Sequence, residues 1–464
     1  MIGLFAALLL APTAFAQTLS APMLLAQTAP PPPEILVPQS VRPLPGSLDS
    51  VPVFNSNSPE KVGGEGILLS TFPPEGMADP AAHLDFGFSG RFDVFAHHVF
   101  QAIAPEDLRS LYLGIVVHNP SDVPITLDVI EAASYLSQPD APFFPLDPLL
   151  ENPDGDVFAG PGSRVASDIL RGRQRLGLPP VVTIPPGEEV LLLNAPIPVA
   201  TLEPPLNGRS TLMRLRSNGT VYVASLAMLA PTSDSGEERP PTLDEWRSLL
   251  QTGRLSEPRD RPPTPFDVTG EFRYGRVAGV SIGSRWQATL ADTADQQFLN
   301  IPPLGTATSF GLSTLVRGQQ GTGQVQSAPM AVRYPDTAYQ AHGNYGVEYD
   351  LLLPLHNPTD AEQQVIVRLQ TPIKEDTLSQ EGLRFFNPLP TSTFFRGTVE
   401  VRYQDDDGRF QTQYYHLVQR RGDLGEPLVQ LAIAPGQRRP VRVRFIYPAD
   451  STPPQVLTIQ TITP

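Results

Sequence analysis

The sequence contains no cysteine. Disulfide frameworks, thiolate metal centres and cysteine nucleophiles are thereby excluded. An exported chain without disulfides must be held by its cores, with a metal ion as the remaining kind of staple. Charge is sparse: charged residues make up 17% of the chain, and acids outnumber bases by 48 to 33, for a formal net charge of −15. A surface of that sign repels phosphate backbones, so general nucleic-acid binding is not expected. Long apolar runs are missing too. Beyond residue 16 no stretch is long and apolar enough to span a bilayer, so no transmembrane segment is expected in the mature chain. The βαβ alternation of a parallel α/β fold appears nowhere.

Proline and hydrophobic residues are what the chain does have. The 54 prolines favour short strands joined by ordered turns over long helices. At 40% hydrophobic, most of the chain can still fold, and 464 residues suffice for two or three domains. One stretch occurs twice. An apolar run, then His118-Asn-Pro-Ser-Asp122, then a second apolar run spans Leu111 to Val129. The same order, around His356-Asn-Pro-Thr-Asp360, spans Tyr349 to Val367. Each copy is followed by a second shared signature, Thr183-Ile-Pro-Pro-Gly187 and Ala432-Ile-Ala-Pro-Gly436. Asn-Pro is a turn signal. The residues after it alternate with the period of a half-buried strand, Val123, Ile125, Leu127 and Val129 on one face. Two similar β modules are therefore expected.

In chain order, Ile2 to Leu10 is an apolar run followed by Ala14-Phe15-Ala16, the small-x-small box of a secretory signal peptide at 1–16. Residues 17–50 are rich in proline and read as an extended tail. Residues 51–230 form the first module, interrupted at 139–180 by a Pro/Gly/Asp-rich insertion with a short helix near Ser163 to Leu176. Ser217-Asn218-Gly219 is expected to be a hairpin turn. Residues 231–265 read as a linker, in which Thr242-Leu-Asp-Glu245 forms a capping box and Leu243, Trp246, Leu249 and Leu250 share a face. Residues 266–464 form the second module. The stretches Val51 to Pro59, Tyr339 to Val347 and Phe385-Phe-Asn-Pro-Leu-Pro390 resemble an uncharacterised cyanobacterial family of exported proteins, known only as a domain of unknown function. That resemblance implies an envelope location and brings no catalytic residues.

Candidate chemistry is thin. Gly279-Val-Ser281-Ile-Gly283 matches the nucleophile elbow of α/β-hydrolases, with Asp350 and His342, His356 or His416 downstream. The elbow needs a parallel strand before the serine and a helix after it, whereas the surroundings read as antiparallel strands. His83, His97, His98 and His118 share one module. His97 and His98, adjacent on a strand, point to opposite faces, while Asp93 and His97 share one. No zinc-type spacing occurs. His118 and His356 are expected to hold their turns by hydrogen bonds. Asp154, Asp156 and Asp168 offer oxygen ligands to calcium, without a full calcium-loop pattern. Glu348 and Asp350, two apart on a strand, have the residue types of a glycosidase pair. Arg171, Arg173 and Arg175 form a basic cluster able to meet anionic polysaccharide. Tyr339, His342 and Tyr345, with glycines between, suggest an aromatic sugar platform. The glycine-rich loop Gly318 to Gly323 lacks the Lys-Ser/Thr of a phosphate loop.

The sequence therefore predicts an all-β protein of two immunoglobulin-like β-sandwich modules with a Pro-rich N-terminal tail and a short linker helix. The expected role is non-catalytic: an exported envelope or extracellular protein, structural or binding, whose partners are envelope polysaccharide or envelope proteins. The rival expectation is a secreted hydrolase of glycans or esters.

Overall fold

A computed structural model describes residues 32–463, except Ile103, Pro105, Ala294, Ser379 and Gln380. The signal-peptide reading at 1–16, and the tail up to residue 31, lie outside the described residues. The fold is mostly β, with several sheets, no barrel and two α-helices among the described residues. Most strands come from short β-branched and aromatic runs bounded by Pro and Gly, as the composition dictates.

Two pairs of facing sheets enclose two large cores. In the N-half, one sheet runs in the order Val181–Ile184, Ile125–Leu136, Leu206–Leu229, Phe88–Gln101, Pro52–Ser56, Ala278–Ile282, Ala328–Arg333, Gln340–Ala341. Its partner sheet holds Glu189–Ile197, Leu111–His118, the second part of Leu206–Leu229, and Gly66–Ser70. Phe88, Phe92 and Val94 from one layer meet Leu113, Ile115 and Val117 from the other. In the C-half, Arg285–Thr289, Glu348–His356, Arg438–Ile446, Thr393–Gln404, Phe410–Arg420 and Leu149–Glu151 form one sheet. Ser40–Arg42, Ala307–Leu312, Gln455–Ile462, Gln363–Gln370 and Pro427–Ile433 form the other. Tyr349, Leu351, Phe395 and Phe445 pack there against Phe310, Val367, Leu431 and Ile459.

Three expectations need correction. Asn218-Gly219 is not a hairpin. Leu206–Leu229 is one 24-residue strand that pairs with the first layer up to Ser217 and again at Val221, and with the second layer from Tyr222 onward. A two-residue hairpin of this type needs positive φ at its centre, and neither Asn218 nor Gly219 has it. Gly219 instead lets the bend pass Ile125, whose Cδ1 would lie 2.8 Å from an added Cβ. Nor is the tail all unpacked. Glu34–Pro38 pairs with Gly382–Phe386 and Ser40–Arg42 with Ala307–Leu312. Prolines flank these short apolar runs, and proline is accepted at strand ends and edges. Finally, strands cross the expected boundary at 231–265. Ala278–Ile282 and Ala328–Arg333 join the N-half sheet, while Leu149–Glu151, from the insertion, joins the C-half sheet.

The repeat has the same geometry twice. Asn119 Nδ2 donates to the carbonyls of Val123, Ile184 and Pro185, and its Oδ1 accepts from Ser121 N and Oγ. Asn357 Nδ2 donates to Ala361 and Ile433, and its Oδ1 accepts from Thr359 N and Oγ1. One buried amide thus ties the Asn-Pro turn to the later Pro-Gly turn in each half. This explains why the two signatures occur together.

The capping box forms as read, with Thr242 and Glu245 each satisfying the other's backbone amide. Helix α2 (Leu243–Thr252) packs on the N-half through Trp246 and Leu250. Trp246 lies flat against Gly114, where any Cβ would come within 2.8 Å of the indole. The Trp246→Ala variant should lose about 3–5 kcal/mol in urea unfolding, and Gly114→Ala should also destabilise. Asn119→Ala and Asn357→Ala should each cost about 1–3 kcal/mol by the same measurement, because buried carbonyls lose their donors.

Candidate functional site

Helix α1 (Pro161–Leu170) fills the seam between the halves. Proline at its first turn presets the helical dihedral. Val165, Ala166, Ile169 and Leu170 pack on Phe95, Ala133 and Leu212 of the N-half and on Ile446 of the C-half. Beside the helix runs a network of ion pairs. Arg214 reaches Glu348 at 2.8 Å, Glu131 at 3.4 Å and Asp93 at 3.9 Å. Arg444 bonds Glu348 at 2.9 Å and Glu400 at 3.2 Å. Arg442 holds Asp350 through two bonds, at 2.7 and 2.6 Å, and Arg285 meets the same carboxylate.

This accounts for Glu348 and Asp350. Burial would raise both carboxyls, but the surrounding guanidiniums outweigh it and hold both below their ordinary range: Arg214, Arg444 and Arg285 for Glu348, Arg442 and Arg285 for Asp350. Glu348 ties the halves together through Arg214, Asp350 is tied within the C-half, and neither has a proton to donate at neutral pH. Asp93 behaves differently. Burial prevails there and raises its pKa, despite Arg91 and Arg214.

The other polar candidates are also internally engaged. Ser281 is buried on a strand between Pro52–Ser56 and Ala328–Arg333, and the chain turns at Gly283-Ser284 into another strand, not a helix. The elbow geometry is therefore not formed. His97 Nδ1 lies 2.7 Å from Ser210 Oγ, and His98 bonds Ser56 Oγ and the Pro59 carbonyl, each at 2.9 Å. The two rings thus have separate partners. Burial pushes them down to about 3 and about 4, so both are neutral. His118 Nδ1 sits 3.0 Å from Glu189 and its ring stacks on Phe72, while His356 Nδ1 lies 2.7 Å from Asn300 Oδ1. Both histidines bond neighbouring strands or loops; the turns themselves are held by Asn119 and Asn357. The glycine-rich loop directs the amides of Gln320 and Gly321 onto the carbonyls of Glu375 and Asp376.

Asp154 and Asp156 are exposed, whereas Asp168 is buried and accepts from Tyr135 Oη at 2.6 Å and Arg173 at 3.2 Å. The three do not converge. No group of three or more potential metal ligands occurs among the described residues. Arg171 stacks on Tyr414, 3.8 Å from the ring centre, and donates to the Asn152 and Pro153 carbonyls. Arg173 donates to Asp154 O at 2.8 Å. These arginines clamp the insertion loop.

The aromatic trio divides. Tyr345 turns into the seam, beside Phe95 and Tyr447, and its hydroxyl donates to Ser451 O at 2.9 Å. Tyr339 and His342 instead end a surface row with Phe266, Phe272 and Tyr274. Successive ring centres in the order Tyr339, Phe266, Phe272, Tyr274, His342 lie 5.4, 6.2, 5.0 and 4.9 Å apart. Three cations lie over these rings: Arg333 on Tyr339, Arg317 on Phe272 and Lys374 on Tyr274, at 4.2, 4.5 and 4.9 Å. His342 Nε2 donates to Gly275 O at 2.7 Å, and burial lowers its pKa to about 4. Arg317 donates to the carbonyls of Val268 and Gly270, and Tyr274 Oη to that of Val316, so the loop is fixed rather than floating. Phe266, 46% exposed, presents its ring to solvent next to Tyr339 at one end of the row. Phe266, Phe272 and Tyr274 were not read as site residues. The alternation of Phe272 and Tyr274 beside a Pro-rich segment was the available signal.

The chain belongs to the family described as "Protein of unknown function (DUF3370)", whose match covers residues 39–461. No curated protein matches it. Among solved structures, procruciferin, an 11S globulin from Brassica napus, aligns at 10% identity over 90% of this chain and 85% of that one. Its TM-score of 0.10 carries no argument.

The ion-pair seam sets an acid limit. Carboxyls with depressed folded pKa values stabilise the fold above the ordinary carboxylate range, and that contribution is lost as pH falls through their folded values. Glu348→Gln should cost about 3 kcal/mol at pH 7, because Arg214 and Arg444 lose a buried counter-charge. The gap between variant and wild type in unfolding experiments should narrow as the pH is lowered toward 3.

Proposed function

We propose that this is an exported, non-catalytic envelope or extracellular protein that binds polysaccharide on the aromatic row. We read both halves as immunoglobulin-like sandwiches whose loops carry the recognition. The observation that carries the proposal is the five-ring row, anchored by hydrogen bonds and open at Phe266. Rigid aromatic faces offer apolar area at little entropic cost and suit the C–H faces of sugar rings. The signal-peptide pattern at 1–16 supports export. The paired state of Glu348 and Asp350, and the strand setting of Ser281, favour binding over hydrolysis.

The test is co-sedimentation of the full chain with isolated peptidoglycan and with exopolysaccharide. Saturable pelleting is expected, weakened about tenfold or more by Phe266→Ala combined with Tyr339→Ala, on the scale of two stacking contacts. Absence of pelleting with every glycan, or pelleting indifferent to those substitutions, refutes the proposal.

A further inference from the structure

A second surface lies where the insertion loop of the N-half crosses onto the C-half sheet. A groove of about 500 Å³ is walled on one side by Phe143, Phe144 and Pro145, and on the other by Leu389 and Thr391. Arg396, Val418 and Arg420 form its floor. Phe143 and Phe144 are 49% and 53% exposed, although both are large apolar side chains. Phe144 stands open beside the groove, while Phe143 carries the Arg396 guanidinium 5.1 Å from its ring centre. The loop is pinned here by Gly160 N on Pro142 O and by the strand Leu149–Glu151.

The charge of the groove points to its occupant. Arg396 and Val418 face each other across neighbouring strands, and Arg420 lies two residues further along the same face. That places the two guanidiniums as diagonal neighbours. Arg421 follows, stacked on Phe386 and Phe394. On surrounding strands Arg384, Arg402, Arg409 and Arg439 each have a carboxylate within salt-bridge distance. Among the described residues, Arg396, Arg420 and Arg421 have none. The one acid lining the groove, Asp423, is turned onto the amides of Arg420 and Gly425. In a chain of net charge −15, two groove arginines without salt-bridged carboxylates, Arg396 lying over the Phe143 ring at 5.1 Å and Arg420 exposed, beside the open ring of Phe144, match a ligand that alternates acid groups with apolar ring faces.

We propose that this groove is a subsite for carboxylate-bearing polysaccharide, a uronate-type chain whose acids meet Arg396 and Arg420, with Arg421 next in sequence adding to the positive field, and whose ring faces lie on Phe144. The assignment rests on the glycan-binding reading above and names the class of glycan. It places acid recognition in the groove and apolar stacking on the separate row around Phe266.

The experiment titrates the full chain with polygalacturonate, with a neutral dextran and with polyglutamate, at low and at physiological salt. The double variant Arg420→Gln/Arg421→Gln should bind polygalacturonate about three- to tenfold more weakly, with a shallower salt dependence, as expected for exposed ion pairs. Phe144→Ala should weaken it as well. Both arginines and Phe144 are exposed, so circular dichroism should superimpose on that of the wild type. Undiminished polygalacturonate binding in the arginine variant overturns the groove, and leaves the row standing if Phe266→Ala still matters. Equal affinity for polyglutamate, with the same arginine dependence, overturns the glycan assignment in favour of an acidic polypeptide. No binding of any glycan by the wild type overturns this inference and the reading beneath it together.

Discussion

Arg214 is the residue around which the two halves are joined. Its strand belongs to the N-half, and its guanidinium reaches Glu131 and Asp93 there and Glu348 on the opposing sheet. A buried guanidinium is costly without counter-charge, and Glu131 and Asp93 from one half and Glu348 from the other supply it. Arg444 and Arg285 complete the balance from the C-half, and α1 excludes water along one side. The geometry of such a network is specific in a way that an apolar contact is not. The ion-pair network crosses between the halves at Arg214–Glu348, so sliding one half over the other would break that buried pair.

Away from the seam each half is stabilised by ordinary two-layer packing, and the internal repeat reveals its common device. A strand pair needs its Asn-Pro turn locked against the next turn in sequence. Asn119 and Asn357 do this with the same donors and acceptors, and the residues between them are free to differ. The N-half spends its freedom on the insertion that provides α1 and the loop with Phe143 and Phe144. Among the described residues the C-half carries no equivalent helix, and the insertion packs on its sheet through α1 and Leu149–Glu151.

What could be read from the sequence was local. Asn-Pro and Pro-Gly turns, the Thr242–Glu245 capping box and the apolar runs declare themselves within a few residues, because their chemistry acts over that distance. What could not be read was partnership. Ala278–Ile282 looks like a strand of either half, and its place beside Pro52–Ser56 follows only from the fold. Asn218-Gly219 satisfies every local rule for a hairpin, yet a continuing strand won because both flanks had partners in different layers. The same holds for the candidate site. Tyr339 and His342 were visible as a pair, while Tyr345, three residues on, went into the seam. The rings that extend the row, Phe266, Phe272 and Tyr274, lie in or just after a stretch that reads as linker. Likewise Glu348 and Asp350 are identical in sequence terms to a catalytic pair, and only the arginines opposite them reveal otherwise.

The placement of one short strand has a mechanical consequence. Ser40–Arg42 and Gln455–Ile462 flank Ala307–Leu312 in a single sheet of the C-half, although they come from opposite ends of the described chain. Tension applied between these two segments would pass through Ala307–Leu312, the strand that bonds both. The N-half, entered after Ser40–Arg42 and left before Gln455–Ile462, stands outside that load path. A molecule anchored through its N-terminal side and pulled from its C-terminal side would therefore load Glu34–Pro38 on Gly382–Phe386 and Ser40–Arg42 on Ala307–Leu312 before the strands of the N-half.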